Sequence, residues 1–520
     1  MAEQERRKQS EAEQAGVLVW GKITASLSEV LAPLLVVRLL GKGEVGAVVG
    51  LLLIYQTLGT ILTAGFPRAA LYFLADRERG ERRALVERLG RIMVVLAVGM
   101  AGLMALGGWL GEDALRALGE LAAGDSSGGG SGAGDDELAA SLRYLPLLGL
   151  YALIDLPTRI LPSVLIAEGR AKASAGFGVL RSLIGTLAML IPAALGQGVG
   201  GIIAAICAAG LLPFAIFLRH LYRLYGDAEK PDHPVATVRE LIQYAAPLGV
   251  TDVVNILNSN VDMWLIVAMF PATAVATYRM GAFQIPIVTT VAYSVGEVYL
   301  PRFARLYREG KQREAVEIWR GSITKVSLIV VPAAMVFLVG ADEFITAAFT
   351  DEYADAAPVF RCYCLLMMAR ISAFGSFMVA AGKPRYVMNS AMMTLLSNVV
   401  ISVPLVLTVG FLGPAMGTAI AFVPTLLYYC WFIAKAWGVK LSETLPLWAY
   451  LRVVATAAAP GLGAWWVKEQ TELHAIVEFL MTAGIVFAGF ALVGTLTKLI
   501  AREDWAFAWG WVRLKVLKDG

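Results

Sequence analysis

The sequence predicts an all-α polytopic membrane protein with about fourteen transmembrane helices. Three observations carry that prediction. Of the 520 residues 58% are hydrophobic and only 16% are charged, with a mean hydropathy of +0.66; about a quarter of a soluble domain is charged. Apolar runs long enough to cross a bilayer recur along the whole chain. Basic residues also alternate from one gap to the next, as they do when Lys and Arg are retained on the cytoplasmic side.

The candidate spans are 17–40, 46–66, 91–111, 141–166, 173–195, 198–218, 243–269, 274–300, 322–341, 358–381, 386–409, 411–434, 448–467 and 473–497. The N-terminal segment MAEQERRKQSEAEQ is charged, and no small-residue cleavage site follows a short apolar core. The first span is therefore expected to be a retained helix. The second gap holds Arg68, Arg77, Arg79, Arg82, Arg83, Arg88 and Arg91, and the eighth holds Arg302, Arg305, Arg308, Lys311, Arg313 and Arg320. The third gap is acidic around a flexible glycine-serine stretch at 124–134, and the ninth has five acids and no base. Of the 44 Lys and Arg, only four fall in or at the edge of odd-numbered gaps: Arg38, Lys42, Arg116 and Lys468. This alternation predicts cytoplasmic termini and acidic loops facing outward.

Beyond the last span, Trp505, Trp509, Val512 and Val516 share one helical face flanked by bases. That suits a helix lying in the inner interface.

Two halves repeat. RERGERRALVERLG (77–90) aligns with REGKQREAVEIWRG (308–321), matching Arg77 to Arg308, Arg82 to Arg313 and Gly90 to Gly321. Upstream, Gly65 meets Gly296. GRAKAS (169–174) aligns with GKPRYV (382–387), and the turn QGVGGIIA (197–204) with GFLGPAMG (410–417). The predicted organisation is a cytoplasmic segment 1–16, a six-helix bundle 17–219, a cytoplasmic linker 220–242, a second bundle 243–435, two additional helices 436–497 and an interfacial tail 498–520. Six is even, so both halves enter the membrane from the same side. Such pairs usually surround a central cavity and transport by rocking against each other.

Ionisable residues inside a membrane are functional candidates by default. Span 1 places Lys22, Ser26 and Glu29 on one stripe, and span 7, its counterpart, places Thr251, Asn255, Asn258, Ser259 and Asp262 on another. Asp155 and Arg159 in span 4 are spaced to pair, which suits either a self-neutralised structural pair or a cavity role. Arg181, two turns into span 5, either snorkels to the cytoplasmic surface or faces a cavity. Arg279 lies near the outer end of span 8 and is able to snorkel outward. Arg370 sits near the middle of span 10, too deep to do so. Lys22, Arg159, Arg181, Arg279 and Arg370 form a cationic set that would suit an anionic substrate, since the guanidinium fork matches phosphate. Glu29, Asp155 and Asp262 are candidates to pair with these cations or to hold a coupling Na⁺ or H⁺.

Other chemistries find little support. Cys207, Cys362, Cys364 and Cys430 lie in apolar segments and read as small buried residues, without a disulfide framework. His220, His233 and His474 form no cluster. No metal-ligand spacing, nucleophile elbow or phosphate-cradling glycine loop is present, so no cofactor, metal or nucleic-acid partner is expected.

Three segments resemble a known family. LLGKGEVGAVVGLLLIYQTLGTILTAGFPRAALYFLA (39–75) resembles the start of a polysaccharide flippase. APLGVTDVVNILNSNVDMWLI (246–266) with VATYRMGAF (275–283) keeps a late aspartate in span 7, Asp262, and an early tyrosine in span 8, Tyr278. AGKPRYVMNSAMMTLLSNVVISVPLVL (381–407) matches a "G-K-P" loop and the asparagine of span 11, Asn398. In this order the motifs are similar to the polysaccharide-transporter family of oligosaccharide flippases, within the multidrug/oligosaccharidyl-lipid/polysaccharide (MOP) exporter superfamily.

The resemblance implies a carrier, not an enzyme, in the bacterial cytoplasmic (inner) membrane. It would flip undecaprenyl-diphosphate-linked oligosaccharide to the outer leaflet for surface polysaccharide biosynthesis. A polysaccharide polymerase and export proteins are the implied partners. By motif it assigns Asp262, Tyr278 and Asn398 to the site, while Glu29 departs from the family's pattern. Two alternatives stay open, a cation-coupled multidrug exporter and a membrane glycosyltransferase or polymerase. FLADRERGERR (73–83) also resembles the loop between spans 2 and 3 of the major facilitator superfamily, with Phe73 in place of its leading glycine and one extra residue before Gly80.

Overall fold

Every regular element of the computed structural model is a helix among the described residues, which are 31–74, 77–123, 133–229, 235–283, 285, 296, 299–300, 302–383, 385–471 and 473–500, with the side chains of 111–136 excepted. The all-α polytopic expectation is borne out. Nine helical stretches among the described residues are long and apolar enough to cross a membrane. Spans 11 and 12 are joined by a tight turn and form one such stretch, Arg385–Trp437. Spans 7 and 13 are helices too, Val238–Met269 and Leu447–Lys468. Lys22, Ser26 and Glu29 of span 1, and the C-terminal tail, lie outside the described residues.

Contacts divide the chain into a unit of residues 1–279 and a unit of residues 280–520. In the first unit, span 2 is two helices, α1 (Lys42–Thr63) and α2 (Phe66–Leu74), broken at Gly65. Gly65 has φ +77°, a left-handed conformation that only glycine adopts freely. A Cβ here would also stand 2.1 Å from the Ala245 carbonyl oxygen. The helix of span 7, α3 (Val238–Met269), crosses at this break. Asp252 of α3 accepts the Gly65 N–H at 3.0 Å and forms an ion pair with Arg68, which also donates to the Leu248 carbonyl at 3.0 Å.

At the basic end of the first unit, arginines of the second gap meet acids from other gaps. Arg82 pairs with Glu168 at 2.9 Å, and Glu168 also accepts from the Tyr225 hydroxyl at 2.7 Å. Arg79 pairs with Asp227 at 2.8 Å. Beneath them lies an apolar core that includes Phe66, Leu85, Leu89, Leu161, Phe217 and Leu241.

Two aromatic groups organise the second unit. Near the acidic ninth gap, Phe344 packs on Phe337, Phe360 and Phe479. Near the basic eighth gap, Trp319, Phe377 and Trp437 stack in turn, with Phe303 edge-on to Trp319 and Phe377. The helix of span 13, α4 (Leu447–Lys468), joins at both ends. Lys468 reaches Glu343 at 2.9 Å and Asp342 at 3.5 Å, and the Tyr450 hydroxyl donates to the Met368 carbonyl at 2.8 Å.

The repeat is visible in the backbone. Span 4 is α5 (Leu145–Thr158) and α6 (Leu161–Ala167); span 10 is α7 (Ala357–Ala369) and α8 (Phe374–Ala380). The two seven-residue helices α6 and α8 fall at the offset that aligns GRAKAS with GKPRYV. Each is followed by a left-handed glycine, Gly169 at φ +70° and Gly382 at φ +71°.

Candidate functional site

Inside a bilayer the only inexpensive backbone is an unbroken helix, because hydrocarbon offers no partner to a freed N–H or C=O. Interruptions are tolerated where protein or a water-filled cavity surrounds them. Spans 4 and 10 are both interrupted at corresponding places, and both interruptions begin at an arginine. Arg159 caps the C-terminus of α5, and Arg370 caps the C-terminus of α7. A cation at a helix C-terminus is stabilised by the last carbonyls and the helix dipole. In span 4 the break is flanked by Pro157 and Pro162, and proline supplies no N–H to the ladder.

Asp155, one turn before the span 4 break, is the centre of a polar cluster. It is buried, 4% exposed. Its Oδ2 accepts from the Tyr55 hydroxyl at 2.7 Å and from Arg159 Nη2 at 3.1 Å. Its Oδ1 accepts from Arg181 Nη2 at 2.5 Å and from the Tyr151 hydroxyl at 3.3 Å. Arg159 also donates to Thr63 Oγ1 at 3.4 Å, and its guanidinium lies over Gly59, where a Cβ would come within 2.8 Å of Nη2.

Four groups thus donate to one carboxylate. Two of them are guanidinium ions, so among the described residues the cluster carries one positive charge in excess. That excess is accessible: the Arg181 side chain is 34% exposed, against 3% for Asp155. The expected Asp155–Arg159 pair is present, but Arg181 shares its carboxylate. Arg181 is therefore turned toward Asp155 and away from the basic end of span 5.

The stripe on span 7 is graded. Asn255 and Ser259 are exposed, Thr251 and Asn258 are half-buried, and Asp262 is buried. Asp262 Oδ1 accepts the Met263 N–H at 2.9 Å, and Oδ2 lies 3.4 Å from the hydroxyl of Tyr278, which is fully buried. The two residues matched by motif are brought together. Arg279, the next residue, is exposed in the last turn of the short helix Ala272–Gly281.

Arg370 is half-buried, with its guanidinium 5.7 Å from the Phe422 ring centroid, within cation–π range. Asn398 sits elsewhere, in the packing between the helices of spans 11 and 12. It accepts from Ser402 at 2.6 Å and donates to Thr418 at 3.2 Å. Ser390–Tyr429 and Thr394–Thr425 continue this polar seam.

Sequence reasoning missed three participants. Tyr151 stands four residues before Asp155, a spacing that places them on one helix face, so a signal existed. Tyr55 is 100 residues away and carried none. Asp252 was overlooked because it falls off the stripe that drew attention to span 7.

The pattern of a family described as "Polysaccharide biosynthesis protein" matches residues 142–358, a stretch that contains Tyr151, Asp155, Arg159, Arg181, Asp262 and Tyr278 but not Tyr55. A probable low-salt glycan biosynthesis flippase of Haloferax volcanii is 22% identical over 286 residues, covering 54% of this chain and 58% of that protein. A capsular polysaccharide biosynthesis protein of Staphylococcus aureus is 21% identical over 226 residues, covering 43% and 57%. The chain thus spans less than two thirds of the length of these curated relatives.

Among solved structures, the lipid II flippase MurJ in its inward closed conformation superposes with a TM-score of 0.70 at 13% identity, over 92% of this chain and 98% of that one. An inward-facing MATE-family multidrug resistance transporter of the MOP superfamily superposes with a TM-score of 0.58 at 15% identity, over 81% and 96%. The fold is that of MOP transporters, which sets aside the major-facilitator reading of the second gap. The resemblance to polysaccharide transporters of that superfamily is borne out.

Proposed function

We propose that this protein is a flippase that carries a lipid-diphosphate-linked oligosaccharide across the bacterial cytoplasmic membrane, for surface polysaccharide biosynthesis. One observation carries the reading: the carboxylate of Asp155 is shared by Arg159 and Arg181, which leaves an accessible positive charge inside a membrane-spanning bundle. An uncompensated guanidinium at that depth is expensive unless an anion visits it. A diphosphate supplies that anion, and the guanidinium fork matches it. The relatives named as a glycan flippase and a capsular polysaccharide protein support the substrate class.

In this reading Arg181 and Arg159 take the diphosphate in the first unit, and Arg370 is assigned the same cationic role in the second. Tyr55, Tyr151 and Asp155 hold the first two arginines in position. Asn255 and Asn258 line the path for the sugars, and Arg279 meets the departing diphosphate. Lys22 is assigned the same cationic role in span 1. Both oxygens of Asp155 are filled by donors, so the coupling cation falls to Asp262 or Glu29. Asn398 serves helix packing. Both termini are cytoplasmic, and a polymerase consumes the product. The proposed domains are the two repeat halves, 17–219 and 243–435, with the helices of 436–497 appended.

The test is export of surface polysaccharide in cells whose only copy is Arg181→Ala or Arg370→Ala. Both should insert at normal levels, lose at least tenfold of the exported polymer and accumulate lipid-linked repeat units. Normal export by both variants would remove the cationic assignment.

A further inference from the structure

We infer that the second half of this chain carries a docking site for the headgroup of an anionic phospholipid, on the basic surface formed by residues 302–308 and the start of the helix Gln312–Val339.

The inference comes from comparing the two repeats. In the first repeat the basic gap is internally matched, since Arg82 bonds Glu168 and Arg79 bonds Asp227. In the second repeat the described residues provide no such partners. Arg313 stands where Arg82 stood, but the counterpart of Glu168 is Ala381, a buried apolar residue. Among the described residues, Arg302, Arg313 and Lys325 are exposed and meet no carboxylate. Arg305 and Lys311 reach only Glu309, at 3.8 and 3.0 Å, and share it. Opposing charges on the same surface are Glu309, Glu314 and Glu317, fewer than the bases around them.

The bases are held on a fixed frame. In the helical segment 302–308, Phe303 and Leu306 are buried while Arg302, Arg305 and Arg308 are exposed. Phe303 lies edge-on to Trp319 and Phe377, which fastens this segment to the longer helix. Along that helix, Arg313, Glu317, Gly321, Lys325 and Ile329 are all exposed, each turned about 40° around the axis from the one before. Charge gives way to the exposed apolar Ile329, so Lys325 marks the edge of the hydrocarbon. The repeat places Val94 at the position of Lys325 and Val98 at that of Ile329, and both valines are exposed. Between Arg313 and Lys325, a Cβ on Gly321 would meet nothing within 4 Å, leaving open room at headgroup depth.

A cluster of bases next to a membrane span on the cytoplasmic side attracts anionic lipid. Here the cationic residues sit over an aromatic base, and among the described residues Arg302, Arg313 and Lys325 are left without an acid partner.

Native mass spectrometry of the full chain in detergent tests this, with phosphatidylglycerol and phosphatidylcholine added at equal concentration. Phosphatidylglycerol adducts should dominate and weaken with salt. The triple variant Arg305→Gln/Arg313→Gln/Lys325→Gln should lose phosphatidylglycerol affinity by on the order of a hundredfold, given the usual contribution of each base near an anionic surface. The control Arg77→Gln/Arg88→Gln/Arg91→Gln removes the same charge from the first repeat and should change affinity less than threefold. Equal loss in both triples, retained affinity in the first, or wild-type binding that favours neither lipid overturns the inference. Because the readout is lipid binding and not polysaccharide export, its failure leaves the flippase reading standing, and the reverse also holds.

Discussion

Asp155 shows what one residue can determine. Breaking a buried ion pair by removing one partner typically costs about 3–5 kcal/mol, because the remaining charge is left uncompensated. Arg181 is a third exposed and regains some solvent, so the lower end of that range or less applies here. Asp155→Ala should therefore lower the thermal midpoint of the purified protein in detergent. Asp155→Asn keeps the shape and an acceptor for Tyr55 and should lower it less. A scanning-fluorimetry series in which both variants match wild type would show that the arginines do not depend on this carboxylate.

Part of the cluster was readable beforehand, since Asp155 and Arg159 lie four apart on a helix. Arg181 was readable as a cation within span 5 but not as a partner of Asp155. Its distance along the chain is 26 residues and that of Tyr55 is 100, and periodicity reports nothing about such separations.

At the scale of the elements, the decisive features are breaks. Gly65, Phe66 and Pro67 end span 2 inside the segment that resembles a polysaccharide flippase, but the purpose of the glycine was not legible. Gly65 turns left-handed there so that the chain passes within contact of Ala245 and Gly249, a closeness that appears only once span 7 is packed against it. Gly65→Ala adds both a strained φ and a clash with a backbone carbonyl. It should reduce the monodisperse fraction in fluorescence-detected size exclusion to below about half that of wild type, the response expected of a backbone effect of a few kcal/mol. Gly90→Ala, which meets nothing, is the matched control and should behave as wild type. An intact Gly65→Ala peak would mean that the approach of span 2 to span 7 is dispensable. The matched breaks of spans 4 and 10 were likewise hidden. Pro157 and Pro162 hint at the first, but span 10 has no proline between Val359 and Lys383 to betray the second. There Tyr450, from a helix outside the repeat, supplies a partner for the Met368 carbonyl at the break.

For the whole molecule, orientation would set the direction of the proposed transport, and the charge pattern gives an expectation about it. Basic gaps alternate with short or acidic ones, and one misplaced span would reverse every assignment beyond it. The paired arginines of the second gap are fixed by acids from the fourth and sixth gaps, Glu168 and Asp227. That pairing requires these three gaps to share a side, which the alternation independently requires. The acidic residues near the ninth gap bind Lys468 from the thirteenth, so two odd gaps also share a side. Single cysteines in a cysteine-free background provide the check. Asp351→Cys and Gln470→Cys should react with a membrane-impermeant maleimide in intact cells. Arg308→Cys and Asp227→Cys should react only after the membrane is opened. Labelling of all four in intact cells, or the opposite pattern, would invert the topology. The diphosphate-bearing substrate would then be loaded at the wrong face, and the flippase reading would fail with it.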